Sequence, residues 1–320
     1  MSSVLEALAS HSDNPSAFLA LNEGNEHFHD PVSGGVCAYR RAGRHVFQFG
    51  GPFAPPDRRA DVLESFLREA GPRVVAVQLQ HADAQLYARH NFTVNQLGAS
   101  YAVDLARFTL RGSRFVRLRN KISRARRAGL EVAEVRVGED TTQLDAIDES
   151  WLQGKGRHAK ELRFLVGQRT GAAQCHRRLF AGRIEGRVVG YLNYSPVYGS
   201  RPGWLHDLSR RHPDAPPGVM EALNATVMES FASEGAGWLH FGFTPFTGLA
   251  ARHEVSGASP VFAHAVRLLA RYGEQIYPAA SQLEYKEKWA PHAVLPEYIA
   301  FRGGPGPVSV WRLLRATNSL

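Results

Sequence analysis

Apolar positions recur along this chain with two periods, two and about 3.6, and the switches between them outline its elements. Val4, Leu5 and Leu8, then Phe18, Leu19 and Leu21, predict one or two helices within residues 1–22. Alternation over 36–41 and 45–49, about Ala42-Gly43-Arg44, predicts a hairpin. Gly50-Gly51-Pro52 and Pro55-Pro56 then break the chain. Asp57 is placed to cap a helix running to Ala70, with Val62, Leu63, Phe66 and Leu67 inward. A strand at 73–80, a short helix around Leu86 and Tyr87, and strands at 92–97 and 101–105 complete a first α/β unit.

A second unit repeats the succession. Residues 131–137 predict a strand, and Thr141 caps a helix carrying Leu144, Ile147 and Trp151. A long hairpin follows at 177–184 and 187–194, turning at Glu185-Gly186, then a strand at 204–207. A helix starts near Gly218, with Met220, Leu223, Val227 and Phe231 at spacings of three and four, and ends at Gly235 and Gly237. A buried strand at 238–243, an apolar, arginine-bearing stretch at 261–272 and a last strand at 298–301 follow. The tail, 308–315, is amphipathic and is expected to dock on the body, contact with a membrane surface being the alternative.

Residues 111–130 join the units and read RGSRFVRLRNKISRARRAGL. Phe115, Leu118, Ile122 and Ala125 form an apolar stripe at helical spacing, and Gly129 is a natural C-cap. Arg114, Arg117, Lys121 and Arg124 flank the stripe on one side, and Arg119, Arg126 and Arg127 on the other. The stretch holds no acidic residue, so its charges repel one another unless an anion lies close. We therefore expect the stripe to be buried between the units and the cationic rows to meet a polyanion. The organisation expected is a first domain over 1–110, a basic connecting helix over 111–130, a catalytic domain over 131–302 and a tail over 303–320.

Composition narrows the possibilities. A chain of 320 residues has room for one large core or two smaller ones, and 44% hydrophobic with 21% charged residues is ordinary for a soluble globular protein. No run of about 18 apolar residues occurs, so no transmembrane helix is expected. The first residues lack a basic, then apolar, leader pattern, and a cytoplasmic protein is expected, with contact at the inner membrane face as a variant. A net charge of +8 and a pI near 9.7 favour nucleic acid, anionic membrane or a phosphorylated ligand as partner. Cys37 and Cys175 are expected to be free thiols, and His27 with His29 lacks the further ligands a metal needs.

The chemistry concentrates at 204–248. Asp207 and Arg210 lie three residues apart where a strand is expected to pass into a loop, so they either converge on a ligand or form a surface ion pair. The helix opened by Pro216-Pro217-Gly218 favours an anionic group near residues 218–221. Gly154-Lys155-Gly156-Arg157 lacks the G-x-x-x-x-G-K pattern of a nucleotide phosphate loop.

The pattern D-L-x-R-x-x-P-D-A-P-x-G-x-M-(D/E), a helix, then G-x-x-P-(L/F)-(S/T)-G resembles the C-terminal catalytic domain of the phosphatidylglycerol lysyltransferases and alanyltransferases, the multiple peptide resistance factor family. Asp207, Leu208, Arg210, Pro213, Asp214, Ala215, Pro216, Gly218, Met220, Glu221, Gly242, Pro245, Phe246, Thr247 and Gly248 carry it. A second match is E-Y-K-E-K-W-x-P at 284–291 with Pro296-Glu297-Tyr298, and a third is the basic run from Leu118 to Leu130. The resemblance extends over nearly the whole chain but has no counterpart of the family's membrane-embedded half. Each unit also resembles the GNAT acetyltransferase topology, so the fold expected is α/β (α+β), tandem GNAT-like domains joined by a basic helix.

The loop before the second unit's helix, R-H-P-D-A-P-P-G, departs from acetyl-CoA binders. Its prolines offer no N–H and the glycine pattern that cradles a pyrophosphate is missing, which argues against an acyl-CoA donor. The resemblance implies aminoacyl-tRNA instead, its acceptor stem on the basic connector. The ester is already activated, so no cofactor is expected. In that reading Asp207 orients the acceptor or the aminoacyl ammonium and serves as base, Arg210 holds a phosphate or developing charge, and Glu221 binds the amino group. Lys286 or Lys288 contacts phosphate, at most one of them facing the site if they lie on a helix, and Lys155, Tyr194 and Thr244 line it. The function expected is aminoacyl transfer from charged tRNA to a small soluble amine or hydroxyl acceptor. Transfer to phosphatidylglycerol is the alternative, and a non-catalytic tRNA- or membrane-binding module is the reading of another class.

Overall fold

Runs of apolar and aromatic residues at 36–39, 45–53, 74–79 and 92–104 are largely buried on both faces, as strands inside a covered sheet must be. A computed structural model describes residues 2–136, 138–154, 164–273 and 279–316. In chain order its elements are α1 (Ser2–His11), β1 (Glu26–His29), β2 (Val36–Ala42), β3 (His45–Phe53), α2 (Arg59–Ala70), β4 (Val74–Leu79), α3 (His81–Arg89), β5 (Phe92–Asp104), α4 (Val116–Arg127), β6 (Glu131–Val135), α5 (Thr141–Gly154), β7 (Arg178–Ile184), β8 (Arg187–Val197), β9 (Gly203–Arg211), α6 (Val219–Ser233), β10 (Trp238–Pro245), α7 (Pro260–Tyr272), α8 (Ala279–Glu287), β11 (Ala293–Arg302) and α9 (Pro307–Ala316).

The described strands form one sheet in the order β1-β2-β3-β4-β11-β5-β10-β9-β8-β7-β6. Two neighbouring pairs are parallel, β3 with β4 and β9 with β10, each joined by a crossover helix, α2 and α6. This is the GNAT-like unit twice over. The final strands are exchanged between the units: β5 lies beside β10, β11 lies beside β4, and the two pair antiparallel with each other from Ala293↔Ala102 to Arg302↔Phe92.

Three local expectations change. The strands predicted at 92–97 and 101–105 are one strand, β5, which the ladder with β11 interrupts only at Leu97. Gly98 lies there against the Thr244 carbonyl, where any Cβ would overlap it, so β10 can approach closely. Asp57 stands outside the N-cap position of α2, which Arg58 occupies, yet Val62, Leu63, Phe66 and Leu67 are all buried as predicted. The stripe Phe115, Leu118, Ile122 and Ala125 is buried, but against α6 of the second unit and not between the units.

Candidate functional site

β9 and β10 pair over three positions only, Gly203–Leu205 with Trp238–His240, and then part. β9 continues along β8 to Arg211, and β10 continues along β5 after taking an extra residue between His240 and Phe243, with Gly242 at φ 70°. The resulting opening lies in the middle of the sheet beyond the carboxyl ends of the paired segments, where open α/β sheets place their ligands.

Because β9 runs to Arg211, Asp207 and Arg210 lie within a strand and not where it meets a loop. The ladder with β8 pairs His206 with Tyr194 and Leu208 with Asn193, skipping Asp207. This bulge aims neighbouring side chains at different surroundings. His206 packs among the rings of Tyr194, Phe241 and Tyr285, with centroids 5.5, 6.1 and 6.4 Å away. Asp207 instead accepts from Arg177, Nε to Oδ2 at 3.2 Å, and both side chains are wholly buried. Arg177 also donates to Asn22 Oδ1 at 2.8 Å and lies over the Phe18 ring. The Gly167 N–H donates to the Asp207 carbonyl, and a Cβ on Gly167 would overlap the carboxylate. Asp207 Oδ1 and Arg177 Nη1 are buried with no hydrogen-bond partner among the described residues. Burial pushes the Asp207 carboxyl up to about 6, against the pull of Arg177 and Ser195.

Arg210 is buried beside α5. Its guanidinium lies 3.8 Å from the centroid of Trp151, its Nε is 3.9 Å from Asp148 Oδ1, and Nη1 donates to the Ser209 carbonyl.

From the other side of the opening, Lys286 inserts its ammonium at the β10 bulge and donates to the carbonyls of Gly242 and Phe243, at 2.7 and 3.1 Å. These carbonyls lie past the last residue that β10 pairs with β9. Glu297 of β11, which accepts from the Ser100 hydroxyl, supplies the opposing charge. Burial lowers Lys286 to about 7 against the pull of Glu297, and raises Glu297 to about 7 against Ser100 and Lys286. Burial, with Lys286 adding to it, holds His206 down at about 3, so its ring is neutral. Lys288 points elsewhere, as two residues along a helix must: its Nζ is 3.0 Å from Glu221 Oε1.

Glu221 sits in the first turn of α6 and also meets Lys121 of α4 at 3.4 Å. Burial would raise its carboxyl, but Lys288 and Lys121 outweigh that and hold it below the ordinary range. The expected anion position at 218–221 is thus taken up by the protein. Glu221 supplies the negative charge, and the Lys121 carbonyl abuts Gly218, whose φ is 94°. Tyr194 is buried and donates to Asn224 Oδ1 at 2.7 Å. Thr244 is buried on β10, its hydroxyl without a hydrogen-bond partner among the described residues. Lys155 lies outside the described residues.

Arg114, just before α4, and Arg117, Lys121, Arg124, Arg126 and Arg127 on it are exposed. Arg119 is half-buried and turns back to the carbonyls of Leu110 and Gly112, and Arg126 lies 3.9 Å from Glu229. Sequence reasoning assigned no role to Arg177, Asn22, Gly167, Ser100, His206 or Glu297. Only Glu297 stood in a noted motif, Pro296-Glu297-Tyr298; the others lie too far along the chain from their partners for spacing to reveal them. Among the described residues no cluster of three or more His, Cys, Asp or Glu is arranged to hold a metal, and no helix is long and apolar enough to cross a membrane. α7 buries Ala263 and Val266 and turns Val261, Leu268 and Tyr272 to solvent, a second apolar stripe on a helix without an acidic residue.

Comparison with known proteins adds to this geometry. The family profile described as phosphatidylglycerol lysyltransferase, C-terminal, matches residues 6–301. The chain is 27% identical over 290 residues to a phosphatidylglycerol lysyltransferase of Bacillus subtilis (strain 168), covering 87% of this chain and 32% of that protein. It therefore spans about a third of the length of that curated relative. Among solved structures it is similar to L-PGS from Bacillus licheniformis (TM-score 0.81, 22% identity, 100% of this chain and 97% of that one). It is also similar to the C-terminal domain of a protein described as a lysylphosphatidylglycerol synthetase from Agrobacterium fabrum (TM-score 0.79, 22% identity, 99% and 95%).

Proposed function

The chain belongs to the phosphatidylglycerol lysyltransferase C-terminal family, and from that premise we propose that it moves an aminoacyl group from aminoacyl-tRNA to phosphatidylglycerol. The lipid replaces the soluble acceptor expected from the sequence. The relatives carry the lipid in their names.

The observation that carries the reading is the opening between β9 and β10, with a buried carboxylate on β9 and a buried ammonium from α8 held on the β10 carbonyls. In the proposed step a lipid glycerol hydroxyl attacks the ester carbonyl of aminoacyl-tRNA. A new ester bond forms, the bond between the acyl carbon and the ribose oxygen breaks, and the lipid's proton ends on the tRNA ribose hydroxyl. Asp207 accepts and returns that proton; a base of this kind contributes about 10² to 10⁴ in rate and works best with a pKa near the working pH. Arg177 positions Asp207, and Arg210 holds negative charge on substrate or intermediate. Lys286 fixes the β10 side of the opening and biases it toward anions. Glu221 and Lys288 link the opening to α4, whose exposed arginines receive the tRNA.

The experiment supplies the protein with tRNA charged with radiolabelled amino acids and with phosphatidylglycerol in detergent. The expected result is label in a solvent-extractable lipid, abolished by RNase and reduced at least about 10²-fold in Asp207→Ala. Release of amino acid without labelled lipid, or transfer only to an added soluble amine, rejects the lipid acceptor.

A further inference from the structure

α9 is docked on the protein by one face and presents a second face that is partly exposed among the described residues. Val310, Leu313 and Ala316 pack on the cluster formed by α1, β2, β3 and β11. Helical spacing puts Val308, Trp311, Arg312, Leu314 and Arg315 within an outward arc of about 160°. Val308 is 59% exposed, Trp311 44% and Leu314 39%. The guanidinium groups of Arg312 and Arg315 lie 5.0 and 5.1 Å from the Trp311 ring centre. Arg312 also reaches the β2–β3 turn at Gly43, next to exposed Arg44, and burial of His45, with Arg73 and Arg312 adding to it, depresses that imidazole's pKa. α9 holds no acidic residue.

We propose that α9 is a membrane-surface helix, whose outward face enters the headgroup layer of an anionic bilayer while its inward face stays on the protein. An indole, two aliphatic side chains and arginines in one arc match that layer, apolar below and anionic above. Arg44 and Arg73 enlarge the cationic rim beside it. The other occupants fit worse. Three apolar side chains fall far short of the roughly 800 Å² per partner that a second copy would need to bury. An RNA backbone would have no use for Val308 and Leu314. The proposal deepens the lipid-acceptor reading, but its measurement needs neither tRNA nor turnover.

The test is co-sedimentation of the full chain with vesicles of phosphatidylcholine alone or with 30 mol% phosphatidylglycerol, a composition of about one anionic lipid in three. Three variants are compared: Arg312→Gln with Arg315→Gln, Val308→Ser with Trp311→Ser and Leu314→Ser, and an α7 control, Leu268→Ser with Tyr272→Ser. The expected result is binding that needs phosphatidylglycerol and weakens with salt. The arginine pair should cost on the order of thirtyfold in partition, and the apolar triple tenfold or more. All substituted positions except half-buried Arg312 face solvent, and unchanged thermal melting of each variant confirms that the fold is intact. A variant that fails this check is replaced by Trp311→Ser alone. Equal binding to both vesicle types, or binding that the α7 control abolishes and both α9 variants keep, overturns the proposal. Lipid labelling in detergent separates the two readings: α9 variants that label normally yet miss vesicles support the helix, whereas vesicle binding without any lipid product rejects only the acceptor.

Discussion

Arg177 and Asp207 form an ion pair from which water is excluded on both sides, although the strand-to-strand ladder gives Asp207 no partner of its own. A bulge in β9 and a residue 30 positions earlier therefore together fix the orientation of the proposed base. Replacing Arg177 by Met leaves the carboxylate buried and unpaired, and should cost about 3–5 kcal/mol at pH 7. The cost should shrink at pH 5, where Asp207 takes up a proton. Denaturant melts of the two proteins at both pH values measure this; a pH-independent cost would contradict it.

The sign of the Asp207 contribution follows from its shift, from an ordinary 3.8 to about 6. The folded state holds this proton more tightly than the unfolded chain does. The stability it brings is present below about pH 4 and is lost as pH rises through 6. Transfer activity that depends on the carboxylate should rise over the same interval. A pH–rate profile showing a midpoint near 6 in wild type and none in the residual activity of Asp207→Asn is the expected outcome.

Lys286 and Glu297 oppose each other. Glu297, raised from 4.5 to about 7, loses its stabilising contribution as pH rises through that interval; Lys286, lowered from 10.5 to about 7, regains its own from 7 upward. The pair's contribution thus has its minimum near neutral pH. The difference in unfolding free energy between wild type and the double variant Lys286→Met, Glu297→Gln should dip near pH 7 and rise on both sides. A flat difference between pH 5 and 9 would show that the pair is not felt.

The exchanged strands predict that neither half is self-sufficient. A chain of residues 131–320 leaves β10 and β11 without β5, exposing unpaired strand edges at its centre. It should be insoluble or lack a cooperative thermal transition, and co-expression with residues 1–130 should restore one. A folded, monomeric 131–320 fragment, seen by circular dichroism and gel filtration, would count against this.

On α4, Arg117 and Arg124 are exposed, two turns apart on one side of the buried stripe. Replacing both by Gln should weaken tRNA binding and reduce the slope of log K against log salt by about 1.4 to 1.8, the release of two phosphate contacts. The melting temperature should not change, because neither side chain is buried. Filter binding at several salt concentrations tests this, and an unchanged slope would place the RNA elsewhere.

What the sequence determined by itself is local. Periods of two and 3.6 located the hairpin at Gly43, the inner face of α2, the stripe of α4 and the helix between Gly218 and Gly235, because each depends on residues within a few positions of one another. The motif resemblance reached further and named the tandem GNAT-like fold and its family. Tertiary structure alone decided the rest. Nothing near Leu97 announces that β5 will cross to the other unit, since strand exchange is settled by which edges are left unpaired when two sheets meet. Nothing near Asp207 announces Arg177, or that the strand will bulge there, because a ladder mismatch belongs to two strands at once. Lys286 and Lys288 look alike in sequence and differ in place: a separation of two residues sends the first to the Gly242 and Phe243 carbonyls at a splay and the second to Glu221, and only packing creates those two destinations.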